Sequence, residues 1–198
     1  MVPTYCAYIS DYVRGKRFAD RPAPGEHHFV SAYLVPKLFT MNGQVPDYIN
    51  PDGTKAILGD VVYYKDEKHH FGIEVKLGVV RLTKKEFNEW LVGEDSNLWP
   101  NVFIGVGRNG IALQSWPQFR QAYIAAVKKK NPAWSPEAIS EGYGPIKNVD
   151  ELSTHLNSDS WFPLQTTSEK IAESESAFLA ALRRELQAKN CVGLAREP

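Results

Sequence analysis

The sequence predicts an α/β (α+β) domain, a central mixed β-sheet flanked by helices, and three observations predict it. Residues 55–78, "KAILGDVVYYKDEKHHFGIEVKLG", hold two β-rich runs around the polar tip "KDEK", which reads as a hairpin. "NVFIGVGRNGIALQSW" is a second strand pair, turned at "RNG", where Asn109-Gly110 favours a tight turn. Helical apolar stripes stand before, between and after these strands, as they must if helices cover the sheet on both sides.

Each element has its own warrant. Residues 1–25 form an N-terminal arm whose end, "ADRPAPG", is too rich in proline for regular structure. From Glu26, "EHHFVSAYLVPKLF" spaces Phe29, Tyr33, Leu34 and Leu38 as a helical apolar face, and Pro36 should kink or shorten that helix. "MNGQVPDYINPDGTK" is turn-rich, with room for a short strand at Asp47 to Asn50. After the hairpin, "TKKEFNEWL" is a helix with Thr83 as N-cap, Glu86 three residues on, and Phe87, Trp90 and Leu91 facing inward. "PQFRQAYIAAVKKKN" is a helix opened by Pro117, and its three closing lysines suit the C-terminal dipole. Residues 131–165 read as an irregular, aromatic-containing connection with at most one short helix. A last helix starts at "TTSEK", where Thr166 and Glu169 fit a capping box; it sets Ile171, Phe178, Leu179, Leu182 and Leu186 on one face. The domain layout is therefore an arm (1–25), a core (26–130), and a connection with a C-terminal helix (131–198) that packs on the same domain.

Bulk properties bound the function. With 43% hydrophobic residues among 198, the chain can bury one sizeable core. Formal net charge is zero, so a nucleic-acid-binding surface would have to be a local basic patch balanced by acid elsewhere. Cys6 and Cys191 lie near opposite ends and have no metal-ligand spacing. The first residues reach charge too quickly for a secretory signal, and no run approaches the ~18 apolar residues of a spanning helix. A soluble, cytoplasmic (intracellular) protein is expected.

The most informative stretch is "FGIEVKLG", Phe71 to Gly78. Alternation sends Ile73, Val75 and Leu77 to one face and Glu74 and Lys76 to the other. Taken alone, such a pair is an ordinary polar-out strand. The neighbouring run "AILGDVV" changes the weighing, because Asp60 is its only charge. If Glu67 centres a three-residue tip, 65 pairs with 69 and 60 with 74, which sets two carboxylates ~5 Å apart at Cβ. A two-residue tip at Asp66-Glu67 would instead set Asp60 against Ile73, on the wrong face. Opposed carboxylates repel, and a divalent cation removes the penalty. Oxygen ligands at this spacing suit Mg²⁺, which keeps several waters and stabilises charge on a phosphate in the transition state. Lys76 can orient the attacking water or offset developing charge.

These residues resemble the PD-(D/E)xK nuclease superfamily, which includes restriction enzymes, Holliday-junction resolvases and some homing endonucleases. The resemblance spans roughly residues 26 to 125. It rests on Asp60, thirteen intervening residues, then Glu74-Val75-Lys76, and on an element order similar to the family's α-β-β-β-α-β core. It implies a restriction-endonuclease-like core with a C-terminal helical extension. It implies Asp60 and Glu74 as metal ligands, the Val75 carbonyl as a further ligand, Lys76 as the catalytic lysine, and Glu26 as the acidic residue that many members carry on the first helix. The implied cofactor is Mg²⁺, with Mn²⁺ able to substitute. The sequence departs from the pattern in that Gly59, not proline, precedes Asp60. A literal Pro-Asp occurs at Pro51-Asp52, but in "NPDG", where Asp has a local turn role; the strand paired to Glu74 favours Asp60.

Other side chains suit lesser roles. Gln114, Lys84, Lys85 and Lys128 are candidates for contacting substrate, alongside the ordinary alternative of solvated helix and strand surface. His27-His28 and His69-His70 are adjacent pairs without the i,i+4 spacing of a helical metal site. The expectation is a Mg²⁺-dependent endonuclease that hydrolyses DNA, with a homodimer or higher homo-oligomer needed for double-strand cutting. The alternatives are a non-catalytic nucleic-acid-binding module on a nuclease-like scaffold, or a nuclease acting on RNA or branched junctions.

Overall fold

A computed structural model of the chain describes residues 29–42, 59–66, 69–96, 99–138, 145–163 and 167–188. Glu26, Asp52, His27, His28, Cys6, Cys191, Thr166 and the expected strand at 47–50 lie outside them. The architecture is a mixed sheet with helices on both faces, the class the sequence predicts. Strands β1 (Val61–Asp66), β2 (His69–Leu77), β4 (Val102–Val106), β5 (Gly110–Ser115) and β7 (Trp161–Pro163) form one sheet in the order β1-β2-β4-β5-β7. All neighbours are antiparallel except β2 and β4, which run parallel. A parallel pair needs a crossover, and helix α2 (Lys84–Glu86), continued as a π-helical turn (Phe87–Val92), supplies it. A two-stranded ribbon pairs β3 (Val79–Val80) with β6 (Lys147–Asn148).

One face of the sheet presents Ile73, Val75, Val102, Ile104 and Leu113. It is covered by helix α1 (Val35–Asn42), which follows a π-helical turn at Val30–Leu34, and by α5 (Ser168–Ala188). Pro36 does not end the first helix. The turn before it widens, with the Val35 N–H bonding Val30 O five residues back, which gives the proline ring room against the preceding carbonyls. Phe29, Tyr33, Leu34 and Leu38 are buried as the helical spacing predicts. Glu175 of α5 ties the two covering helices together: it accepts from Tyr33 Oη (3.0 Å) and pairs with Lys37 Nζ (2.9 Å).

The opposite face carries Phe103 and Ala112, covered by α3 (Trp116–Lys130), the π-helical turn after α2, and α4 (Val149–Leu152). Both faces therefore carry an apolar core layer. The Thr83 capping box forms with both of its bonds, Glu86 N–H to Thr83 Oγ1 (3.2 Å) and Thr83 N–H to Glu86 Oε2 (2.8 Å). Helix α3 begins with Ser115 N–H bonded to Gln118 Oε1 (3.1 Å) and packs Phe119 on Phe103, ring centroids 4.0 Å apart. Gly105 has no side chain because a Cβ there would meet Phe103 Cε1 at 2.8 Å and Val149 Cγ1 at 3.0 Å. The segment after Asn131 is less irregular than the sequence suggests: it supplies β6, α4 and the edge strand β7. Among the described residues, no helix is long and apolar enough to cross a membrane.

Candidate active site

Glu74 and Lys76 stand on the face of β2 that points away from Ile73 and Val75, as alternation requires. That face does not meet water. The second helical layer covers it, so Glu74 is only 3% exposed and Lys76 8%. Lys76 Nζ forms an ion pair with Glu74 Oε1. Even so, the Glu74 carboxyl is pushed up from its ordinary value to about 8. Loss of solvation is the largest cause, and the nearby Asp60 and Glu86 charges add to it; Lys76 opposes them without prevailing. One ammonium in a covered site replaces only part of the lost hydration.

The hairpin adopts the register that places Asp60 near Glu74, though by another turn than the simplest one. Asp66 pairs with His69, and a shift between Tyr64 and Asp66 then resets the ladder to Tyr64↔His70, Tyr63↔Phe71 and Val61↔Ile73. Continued by one residue, that register reaches Asp60 and Glu74. At Asp60 itself the backbone leaves the ladder. Its N–H donates to Ile73 O (2.9 Å), and its carboxylate Oδ2 accepts from Val75 N–H (2.9 Å). Gly59 makes this exit possible. Its φ is +131°, and a Cβ there would lie 2.5 Å from Ile73 O. Proline, locked near φ −65°, cannot occupy that position, which accounts for its absence before Asp60.

Asp60, Glu74 and Lys76 are thus brought together, with Val75 between them and its N–H bound to Asp60. Gln114 lies on the same face: Glu74 pairs with Phe103 and Phe103 with Gln114, so the three form one row across β2, β4 and β5. Gln114 is 3% exposed, and its Oε1 has no hydrogen-bond partner among the described residues. Lys84 and Lys85 are exposed on α2, beside Glu86, whose charge reaches Glu74. Lys128 is exposed near the far end of α3, ~18 Å along the axis from Trp116. His69 and His70 are in β2 at the tip end, away from Glu74.

Sequence reasoning missed two features here. Glu86 reads as a helix cap and nothing more, yet its charge reaches Glu74 from the helical layer on the same face of the sheet. The Asp150 carboxylate holds the β4–β5 turn by accepting from Arg108 N–H and Asn109 N–H (both 2.9 Å), a long-range contact with no local signature.

The donor set has the chemistry of a hard-cation site in one respect: two carboxylates in electrostatic contact, one of them held protonated-prone by burial. Among the described residues, no group of three His, Cys, Asp or Glu side chains is spaced to share one ion. Any ion here would rest on Asp60, Glu74 and main-chain oxygen. Comparison of the chain with protein-family models, with curated proteins and with solved structures found no match.

Proposed function

We propose that the chain is a divalent-metal-dependent endonuclease of the PD-(D/E)xK type, which hydrolyses DNA phosphodiester bonds inside the cell. One observation carries the reading: a buried Glu74–Lys76 pair stands beside Asp60 on a sheet face that an apolar helical layer covers. A structural pair facing water needs no such burial. Two ionisable groups kept in a covered layer are destabilising unless something is gained from them.

Asp60, Glu74 and the Val75 carbonyl are the groups that would hold Mg²⁺ or Mn²⁺. When bound, the ion neutralises the two carboxylates, makes water more acidic and offsets charge on the phosphate. The protein's own residues do the rest. The Val75 N–H fixes the Asp60 carboxylate, so one ligand is preoriented by the backbone. Lys76, held beside Glu74, offers an ammonium in a low-dielectric site, where it stabilises developing negative charge more strongly than in water. Lys84 and Lys85 lie on the exposed rim and can take up backbone phosphates. Cutting both strands with one site per subunit calls for a homodimer or larger homo-oligomer.

The test is nicking of supercoiled plasmid with Mg²⁺ or Mn²⁺ and with EDTA, on wild type and Glu74→Gln. Ion-dependent nicking that falls at least ~10²-fold in the variant supports the proposal. DNA binding without cleavage in any divalent ion would leave a binding module on this scaffold. Preference for RNA or branched junctions would redirect the substrate while keeping the chemistry.

A further inference from the structure

A cleft of about 210 Å³ opens on the same sheet face, between one side of α3 and the connection from α4 to β7. Its polar lining is Gln114, Gln118, Gln121, His155, Asn157 and Ser160. Gln114 is the most deeply buried of these, and its Oε1 is the acceptor left without a partner among the described residues. An unpaired buried amide oxygen is costly, so it takes a donor from whatever fills the cleft, and a ligand N–H that displaces water there gains that bond.

The lining says what kind of ligand. It contains no Asp, Glu, Lys or Arg, so neither a phosphate nor a cation would find a counter-charge. It offers amide, hydroxyl and imidazole groups, which donate and accept along a planar edge. Glutamine amides match the edge of a heterocycle that carries an amino group beside a ring nitrogen. The volume suits one ring system and not a base pair. The row Glu74–Phe103–Gln114 puts the cleft two strand spacings, roughly 10 Å, from the candidate catalytic carboxylate. We propose that this cleft binds a single unpaired nucleobase through an N–H donor to Gln114, next to the phosphate being cut. The proposal rests on the nuclease reading for its substrate, but base binding itself needs no metal and no cleavage.

The experiment uses the full chain in EDTA. Adenosine, cytidine, guanosine, thymidine and ribose are titrated separately and followed by calorimetry and by protein NMR shifts. At least one nucleoside is expected to bind in the millimolar range, while ribose does not. Gln114→Met should weaken that binding about tenfold, the loss of one hydrogen bond to a buried acceptor. The same variant should melt no lower than wild type, because it removes an unpartnered polar atom at nearly constant volume. If Gln114→Met does not fold, Gln121→Ala combined with Asn157→Ala, both on the exposed rim, should weaken binding instead. A short single strand and the same strand with one abasic site then separate a base within a chain from a free nucleoside. Failure of every nucleoside to bind, or binding undiminished in the variants, overturns the proposal whatever the cleavage result. Base binding by a chain that never cleaves would overturn the nuclease reading and leave this site standing.

Discussion

Between about 4.5, the ordinary Glu value, and about 8, the folded chain keeps on Glu74 a proton that the unfolded chain has released. The folded state binds more protons in that window, so stability falls as pH rises through it and is flat on either side. Glu74→Gln should remove that slope and be more stable than wild type at pH 8, by on the order of a few kcal/mol at most. Thermal melts across pH 5–9 on both proteins check it; parallel curves would mean that Glu74 is ionised in the fold. The same proton predicts linkage to metal. Mg²⁺ binding near neutral pH should release close to one proton, read from calorimetry in buffers of different ionisation enthalpy. At limiting Mg²⁺, cleavage should rise with pH up to about 8, the Glu74 value. Lys76 carries a second residue-scale prediction. Because it is buried against Glu74, Lys76→Ala leaves a cavity, and Lys76→Met is the cleaner probe of its charge. Single-turnover cleavage should drop ~10²-fold or more in Lys76→Met, with DNA affinity much less affected. Near-normal cleavage would make the pair a structural one.

At the scale of elements, what was legible in the sequence divides by range. The Thr83 capping box, the Pro117 helix start and the alternation of Glu74 and Lys76 are local, and each reads from a few adjacent residues; the β4–β5 turn falls within "RNG" as expected but centres on Arg108-Asn109, with Gly110 paired to Gly107, and not on Asn109-Gly110. The burial of Glu74 was not legible. Alternation assigns a face to the side chain but not what covers that face, and here the covering layer includes residues distant in sequence such as Phe87 and Phe119. The edge strand β7 was missed because three residues give no period, and β5 alone makes it a strand. The hairpin register followed arithmetic, but through a bulge that no residue near the tip announces. Gly59 links this level to the site. Gly59→Ala should cost at least ~1–3 kcal/mol from the left-handed φ and the contact with Ile73 O. It should lower cleavage by more than that loss explains, since it shifts Asp60. Thr83→Ala, by contrast, should cost ~1 kcal/mol and leave cleavage per folded molecule unchanged unless Glu86 moves. Melts and cleavage rates on the two variants together separate a strained strand exit from a general loss of stability.

For the whole molecule, the deciding question is what the C-terminal helix does. Its apolar stripe fits either closure of the core or a contact between subunits. Phe178, Leu182 and Leu186 are each fully buried within this chain, against the face that carries Ile73 and Val75, and Phe178 meets Phe162 of β7 edge to face at 5.7 Å. These three positions are therefore spent inside the subunit and are not free for a contact between subunits. Its position also makes it a support for the site. The helix packs on one face of β2 while Glu74 and Lys76 occupy the other, so both helical layers set where that strand lies. Phe178→Ala should destabilise the fold by ~3–5 kcal/mol, the transfer loss plus an unfilled cavity. The subunit mass in solution should not change, and cleavage by the molecules that remain folded should fall only modestly. Denaturant unfolding, light scattering and cleavage at low temperature measure these three quantities on one preparation. A variant that keeps its stability but changes its oligomeric state would show that the helix serves a partner subunit and not its own sheet.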